Sequence, residues 1–276
     1  MTDFSTLLFL KKTDHLWEAS EEFLHNRAFL FGDGLFETMV FTRGKILDFE
    51  LHRVRLLHGM HILGLDPEII STQEELERSI FSHLSSSQIL RVRWNVFRGG
   101  LGKYTPETDK VLETLQIQPF HYPPRIKKTA MISAKFRVYP QVWSNCKTSN
   151  ALLYVLANQE RQQYQQDDVI LLDYRGNVSE AGAANLFWKK DGVYYTPSLS
   201  THCIAGIGRS KIMQCLRNFS IPLIEGEFSV QDLLTAEKVF TSNVTGLSYI
   251  ECIEGHCFNT ESEELLDALF NPAREI

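Results

Sequence analysis

Short strand patterns alternate with helical patterns along the chain, and one proline-rich segment separates them into two groups. The clearest strand lies where Leu90, Val92, Trp94 and Val96 alternate with polar residues, because a period of two is typical of a strand with one apolar face. Residues 119–125 contain three prolines, which stiffen a connection between domains. We therefore expect an α/β (α+β) protein with an N-terminal domain at 1–118, a linker at 119–125 and a C-terminal domain at 126–276.

Composition limits the class of protein. The 276 residues are 43% hydrophobic and 22% charged, with a formal net charge of −6, so a soluble globular protein is expected and nucleic acid is not an expected partner. No stretch approaches the roughly 18 to 20 apolar residues of a membrane span. The apolar run near the N-terminus is followed, not preceded, by basic residues, which is the wrong order for a signal peptide. The five cysteines include no C-x-x-C pair, so we expect reduced thiols and a cytoplasmic location.

Two residues suit the contacts that a pyridoxal phosphate (PLP) enzyme needs. Lys147 precedes a helical pattern in which Leu152, Val155 and Leu156 are expected to face inward, and Glu180 lies near the end of a strand pattern. A lysine amine forms a Schiff base with the cofactor aldehyde, and a carboxylate keeps the pyridine nitrogen protonated. Either residue alone is more often simply solvated.

Three further segments suit a phosphate group. Arg55 adjoins the apolar stripe of a helix and is either a snorkelling surface residue or a ligand. Gly206-Ile207-Gly208-Arg209 opens a helix, where backbone N–H groups and the helix dipole favour an anion. As a dinucleotide fingerprint this turn lacks the third glycine. Ser242 and Asn243 end a strand with hydrogen-bonding side chains.

Three arginines are candidates for binding an acidic substrate. Arg91 and Arg93 share the polar face of one strand, and Arg98 begins the glycine-rich loop that follows it. Loops at strand ends often carry binding residues, although a solvated edge fits the same pattern. The nine histidines are scattered without metal-ligand spacing, so no metal site is expected.

Five separated blocks, in this order, resemble the class IV (fold type IV) PLP enzymes: branched-chain aminotransferases, D-amino acid aminotransferases and aminodeoxychorismate lyases. The blocks are Arg27 with Phe31-Gly32-Asp33-Gly34-Leu35-Phe36-Glu37-Thr38, then His52-x-x-Arg55-Leu56, Lys147-x-x-Asn150-x-Leu152, Ser179-Glu180 with Ala184-Asn185-Leu186-Phe187, and Gly206-Ile207 with Arg209. The resemblance implies a two-domain fold like that of D-amino acid aminotransferase, with PLP between the domains, and a homodimer that acts on a small amino substrate.

The resemblance also implies roles for individual residues. Lys147 would form the Schiff base and Glu180 would pair with the pyridine nitrogen. The cofactor phosphate would be bound by Arg55, by the backbone N–H groups of Ile207 and Gly208 and by Ser242 and Asn243, while Ile204 would pack on the ring face.

Two departures from the aminotransferase pattern resemble aminodeoxychorismate lyase. Aminotransferases of this class typically carry Gly-Ile-Thr-Arg where this chain has Gly208 in place of the threonine, and branched-chain members have a tyrosine where this chain has Leu152. The lyase converts 4-amino-4-deoxychorismate to 4-aminobenzoate and pyruvate in folate biosynthesis. An aminotransferase acting on branched-chain or D-amino acids is the alternative, and a non-catalytic PLP-binding relative is a more remote one.

Overall fold

The chain forms two compact units. The computed structural model describes residues 7–11, 17–19, 27–82, 89–100 and 102–271. The first unit comprises residues 1–121 with 146–150, and the second comprises 122–145 with 151–276. One division falls inside the predicted linker, but the segment of Lys147 belongs to the first unit, whereas we expected it in the C-terminal domain. No helix in the described ranges is long and apolar enough to cross a membrane.

The first unit is built on an antiparallel six-stranded sheet. In chain order its elements are β1 (Leu7–Lys11), β2 (Trp17–Ala19), α1 (Arg27–Phe31), β3 (Gly34–Thr42), β4 (Lys45–Ile46), α2 (Phe49–Leu63), α3 (Gln73–Phe81), β5 (Leu90–Arg98) and β6 (Val111–Pro119). The strand order is β2-β1-β6-β5-β3-β4, and every neighbouring pair is antiparallel.

The two faces of this sheet differ in polarity. Val92, Trp94 and Val96 are buried with Leu56 and Met60 of α2 in one hydrophobic core. The alternation predicted for β5 is thus confirmed, because Arg91, Arg93 and Asn95 are only partly buried. The face opposite the core therefore carries Arg91 and Arg93.

The second unit is built on a mixed nine-stranded sheet. Its elements are β7 (Ile126–Val138), α4 (Leu152–Gln163), β8 (Asp168–Asp173), β9 (Val178–Ala181), β10 (Asn185–Lys190), β11 (Val193–Pro197), α5 (Ile207–Asn218), β12 (Leu223–Gly226), α6 (Val230–Leu234), β13 (Lys238–Asn243), β14 (Gly246–Ile253), β15 (His256–Cys257) and α7 (Glu264–Asp267). The order is β12-β11-β10-β13-β14-β7-β8-β9, with β15 on β14. Three neighbouring pairs are parallel, namely β11 with β12, β14 with β7 and β7 with β8.

Helix α4 packs on a different face from the one predicted. Leu152 and Val155 are 61% and 52% exposed, and the fully buried positions are Ala157 and Glu160. One oxygen of the Glu160 carboxylate accepts a hydrogen bond from the Ser133 hydroxyl, and the other has no hydrogen-bond partner among the described residues. The sequence pattern gave the period of the helix correctly but assigned the wrong stripe to its buried face.

Two of the five cysteines form a disulfide. Cys252 and Cys257 lie opposite one another on β14 and β15 and are bonded to each other, whereas Cys146, Cys203 and Cys215 are free and buried. The expectation of five reduced thiols is therefore wrong for this pair. Their spacing is not C-x-x-C, and only the hairpin register brings the two side chains together.

Candidate active site

Lys147 lies on an extended segment that pairs with β3. The amide of Phe36 donates to the Lys147 carbonyl (2.9 Å), and the amide of Ser149 donates to the Gly34 carbonyl (2.8 Å). The neighbouring Cys146 is 3% exposed and packs in the core of the first unit. These bonds explain why the segment belongs to the first unit, and they place Lys147 before the helix start, since α4 begins only at Leu152.

One aromatic ring lies close to both the Lys147 amine and an arginine. The Lys147 Nζ lies 4.6 Å from the centroid of the Phe36 ring, and the guanidinium carbon of Arg93 lies 3.6 Å from the same centroid. Cations are attracted to aromatic faces at such distances. Phe36 therefore helps to position the amine proposed to react.

Arg55 is oriented by a buried carboxylate. Its Nε donates to Glu37 Oε1 (2.8 Å), and its Nη2 donates to Glu37 Oε2. Nδ1 of the fully buried His52 donates to Oε2 over 2.6 Å. Burial raises the pKa of Glu37, but Arg55 and His52 outweigh that effect and lower it, so Glu37 is ionised at neutral pH. The pair fixes the direction of the guanidinium, which sequence alone did not show.

Glu180 lies in β9 and accepts hydrogen bonds at both carboxylate oxygens. The hydroxyl of Tyr154 donates to Oε1 (2.7 Å) and the amide of Ile204 donates to Oε2 (3.1 Å). Asn185 in turn donates to the Ile204 carbonyl (2.8 Å). The predicted residues Glu180 and Ile204 are thus joined by a hydrogen bond. Tyr154 was missed because the predicted inward stripe of α4 did not include it.

The start of α5 meets the end of β13. The first amides of a helix have no partner within the helix, and here they belong to Ile207 and Gly208. Ser242 is 1% exposed, and its hydroxyl has no hydrogen-bond partner among the described residues. An unsatisfied buried hydroxyl in β13 and the first amides of α5 both suit a phosphate group. This part of the second unit therefore meets the chemical requirements of the phosphate predicted there.

Gly208 is required by the backbone at this point. A Cβ at position 208 would lie 2.9 Å from the carbonyl oxygen of Asn243 and 3.3 Å from the ring of Phe270. Real Cβ atoms essentially never approach so closely without a shift of the neighbour. The glycine that departs from the aminotransferase pattern thus has a steric cause.

The side chain of Asn243 has a local structural role. Its Oδ1 accepts from the amide (2.9 Å) and the hydroxyl (2.6 Å) of Thr245, and its Nδ2 lies 3.4 Å from the Ala183 carbonyl. The amide group is therefore used to shape the turn after β13. Its backbone, which approaches Gly208, is the part that borders the helix start.

Arg98 is engaged within the first unit. Its Nε donates to Asp33 Oδ2 (3.1 Å), and its two terminal nitrogens donate to the carbonyls of Gly64 (2.9 Å) and Leu63 (2.6 Å). Arg27 donates to the same Asp33 oxygen (2.9 Å). With all three nitrogens so occupied and the residue 8% exposed, Arg98 braces the Gly-Asp-Gly turn and is not retained as a substrate candidate.

Arg91 and Arg93 keep donors for a ligand. Nη1 of Arg91 donates to Gln118 (2.7 Å) and Nε of Arg93 donates to Asn95 (2.8 Å). Burial lowers the pKa of Arg91, and burial together with the charge of Arg91 lowers that of Arg93 to about 10. Both side chains are therefore charged at neutral pH, and an anion near them relieves their mutual repulsion.

Comparisons with known proteins agree with this chemistry. Residues 34–250 match the family model described as Amino-transferase class IV. Branched-chain-amino-acid aminotransferase-like protein 1 of Arabidopsis thaliana is 28% identical over 235 residues, which are 81% of this chain and 42% of that protein. Aminodeoxychorismate lyase of Vibrio harveyi is 26% identical over 235 residues, covering 80% of this chain and 82% of that one.

The fold is also found in a solved structure. The crystal structure of 4-amino-4-deoxychorismate lyase from Pseudomonas aeruginosa has a TM-score of 0.83 to this chain, with 25% sequence identity, and the match covers 95% of this chain and 98% of that one. The predicted α/β fold of the fold type IV enzymes is thus confirmed. Because the family model spans most of the sequence, the chain belongs to the class IV aminotransferase family.

Proposed function

We propose that the reaction of this PLP-dependent enzyme is the conversion of 4-amino-4-deoxychorismate to 4-aminobenzoate and pyruvate. The observation that carries this choice within the family is the steric exclusion at Gly208, where a Cβ would meet the Asn243 carbonyl at 2.9 Å. The threonine of the aminotransferase pattern does not fit there without a backbone shift. The resemblance to the Vibrio harveyi lyase over 82% of its length supports the same choice.

Each of the family roles has a residue suited to it. Bound PLP supplies an electron-accepting ring to which a substrate amine is joined. Lys147 provides the amine that holds the cofactor and then carries a proton between substrate atoms. Glu180 keeps the ring nitrogen protonated, and Ile204 covers a ring face. In the first unit the Arg55 guanidinium would suit the cofactor phosphate, and in the second unit the amides of Ile207 and Gly208 and the Ser242 hydroxyl would suit it.

The proposed substrate is an amine with carboxylates. Arg91 and Arg93 lie two residues apart on one face of β5, and both are charged at neutral pH. 4-Amino-4-deoxychorismate has two carboxylates, so paired arginines suit it. Loss of the enolpyruvyl group makes the ring aromatic, so the reverse reaction is strongly unfavourable.

Two other functions follow from the same residues. A class IV aminotransferase acting on branched-chain or D-amino acids needs the same lysine and glutamate, and the Arabidopsis relative favours this alternative. A non-catalytic PLP-binding relative is the more remote one. For either enzyme we propose a homodimer in the cytoplasm, with a small-molecule amino substrate as partner.

A paired assay of the protein loaded with PLP tests the proposal. One reaction contains 4-amino-4-deoxychorismate and follows 4-aminobenzoate and pyruvate; the other contains L-branched-chain amino acids or D-alanine with 2-oxoglutarate. Rapid formation of 4-aminobenzoate with weak transamination is expected, and the reverse result would establish an aminotransferase.

The variant Lys147→Ala tests the central residue in the same assay. Both activities should fall by more than about 10⁴-fold, because the reacting amine is lost, and the visible absorbance of the bound cofactor should disappear. Lys135→Ala, at an exposed position of β7, is the matched control and should behave as wild type. Activity retained by Lys147→Ala would refute the assignment.

A further inference from the structure

The carboxylate of Glu180 is held by a tyrosine that lies outside the family pattern described above. Tyr154 is in the first turn of α4, and its hydroxyl donates to Glu180 Oε1 over 2.7 Å. We infer that Tyr154 is a positioning residue, which keeps Glu180 ionised and correctly oriented for the nitrogen of a pyridine ring. This inference rests on the proposed function, since it assigns a role toward the same cofactor.

Burial of Glu180 gives this donor its importance. Glu180 is 2% exposed and Cys203 nearby is 1% exposed. Burial, and then the charge of Glu180, raise the pKa of the Cys203 thiol to about 12, so the thiol is neutral. Burial of a carboxylate is costly unless its oxygens are paired or hydrogen-bonded, and the Tyr154 hydroxyl and the Ile204 amide each donate to one oxygen of Glu180.

Tyr154 itself does not release its proton. Burial, followed by the charge of Glu180, raises the pKa of its hydroxyl well above the ordinary value. The hydroxyl is therefore the donor in this pair, and the Glu180 carboxylate oxygen is the acceptor. A carboxylate that accepts such a bond is a weaker base, so a proton shared with a ring nitrogen stays on the nitrogen.

The geometry of the pair is fixed through the backbone. Asn158 Nδ2 donates to the Tyr154 carbonyl (2.8 Å) and to the Gly182 carbonyl (3.0 Å). Gly182 follows Glu180 by two positions, and a Cβ there would lie 2.8 Å from Val169 and 3.0 Å from Asn158. Asn158 thus links the first turn of α4 to the turn that follows β9. This link fixes the position of the Tyr154 hydroxyl relative to Glu180 Oε1.

Binding of two cofactors separates this role from simple support of the fold. The dissociation constants of PLP and of its analogue with carbon in place of the ring nitrogen would be measured for wild type and Tyr154→Phe. A lost hydrogen bond to a charged group should weaken PLP binding by about tenfold, and the analogue by less than about twofold, because only PLP offers the nitrogen that Glu180 binds. Tyr164→Phe, an exposed tyrosine that caps the end of the same helix, should leave both constants unchanged.

A spectroscopic titration gives an independent readout. With PLP bound, the pH midpoint of the visible absorbance change should shift in Tyr154→Phe and not in Tyr164→Phe, because Glu180 becomes the stronger base. Asn158→Ala keeps every atom of the Tyr154–Glu180 bond but frees the helix turn. It should shift both readouts in the same direction by a smaller amount, and it serves as the second variant if Tyr154→Phe does not fold.

The outcomes distinguish this inference from the proposed function. If wild type binds PLP and Tyr154→Phe loses affinity for PLP and for the analogue equally, or loses none, the positioning role is refuted while the proposed function stands. If wild type does not bind PLP at all, the proposed function fails and takes this inference with it.

Discussion

Glu37 is a buried carboxylate that pairs with two neighbouring side chains. It is 1% exposed, and its oxygens bind the Arg55 guanidinium and the His52 imidazole. Removing one partner of such a pair leaves the other buried and unpaired. The orientation of Arg55, and with it the proposed phosphate contact, therefore depends on Glu37.

We predict that Glu37→Gln reduces stability in a pH-dependent way. The folded pKa of Glu37 is below its ordinary value of 4.5, so its ionisation stabilises the fold above that pH and the contribution is lost as the pH falls through the folded pKa. At neutral pH the substitution should cost about 3–5 kcal/mol of unfolding free energy. Urea unfolding from about pH 7 to pH 3 should show the difference from wild type shrinking.

Glu50→Gln is the control for this measurement. Glu50 lies in the first turn of α2, the same helix as Arg55 and His52, and is exposed. Its substitution should therefore change the free energy of unfolding by less than about 0.5 kcal/mol. A Glu37→Gln protein whose deficit does not change with pH would contradict the ionised pair.

Single residues of the site differ in how far sequence predicts them. Lys147, Glu180 and Arg55 were proposed from motifs, because their residue types match the chemistry and their order matches a family. Tyr154 was not proposed, since its hydroxyl is brought to Glu180 only by the way α4 packs near β9. Arg98 was proposed for its charge, but its donors are taken by Asp33 and by backbone carbonyls.

At the scale of elements, the junction between α5 and β13 is a close backbone contact in the candidate site. A Cβ at position 208 would lie 2.9 Å from a carbonyl oxygen and not from the end of a flexible side chain. Relief would require movement of a helix or of the turn after β13. The helix amides and the Ser242 hydroxyl would move with it.

We therefore predict that Gly208→Thr destabilises the protein although aminotransferases of this class carry threonine there. Overpacking should cost about 1–3 kcal/mol of unfolding free energy, and PLP affinity should fall because the helix start is displaced. Chemical denaturation and cofactor titration measure the two effects. Ser210→Thr, exposed two residues later in α5, is the control, and an unchanged Gly208→Thr protein would show that the junction has room.

Element types were easier to predict than element faces. The period of two identified β5 and its buried face, because only one face of that strand is apolar. The period of the α4 pattern was also right, but Leu152 and Val155 are exposed and Glu160 is buried. A buried carboxylate that accepts a hydrogen bond from Ser133 through one oxygen is a tertiary arrangement that a single-helix pattern does not contain.

For the whole molecule, the sequence predicted the family and the fold but not the cysteine chemistry. Five motifs in one order along the chain were enough to predict the family, because such a combination is much more specific than any one of the motifs. The bond between Cys252 and Cys257 depends on hairpin register. Spacing along the chain gave no indication of it.

The disulfide leads to a global prediction. Reduction should lower the free energy of unfolding by about 2 kcal/mol, since the bond closes only a short loop in the unfolded chain. Guanidinium unfolding with and without a thiol reductant measures the change. The double variant Cys252→Ser with Cys257→Ser has no bond to reduce, so it should have the stability of reduced wild type with and without the reductant. A wild-type protein whose stability does not change with the reductant would contradict a stabilising bond.

The assignment of residues 146–150 to the first unit also constrains how this protein can be divided or recombined. The polypeptide passes from one unit to the other three times, so no single junction yields two intact halves. A fragment ending at 121 would leave the edge of β3 at Gly34–Phe36 without the partner described above, and a fragment starting at 126 would carry Lys147 without that edge. Chimeras between relatives must therefore exchange the short lysine segment together with the N-terminal half, or the reactive amine will be presented by a foreign scaffold.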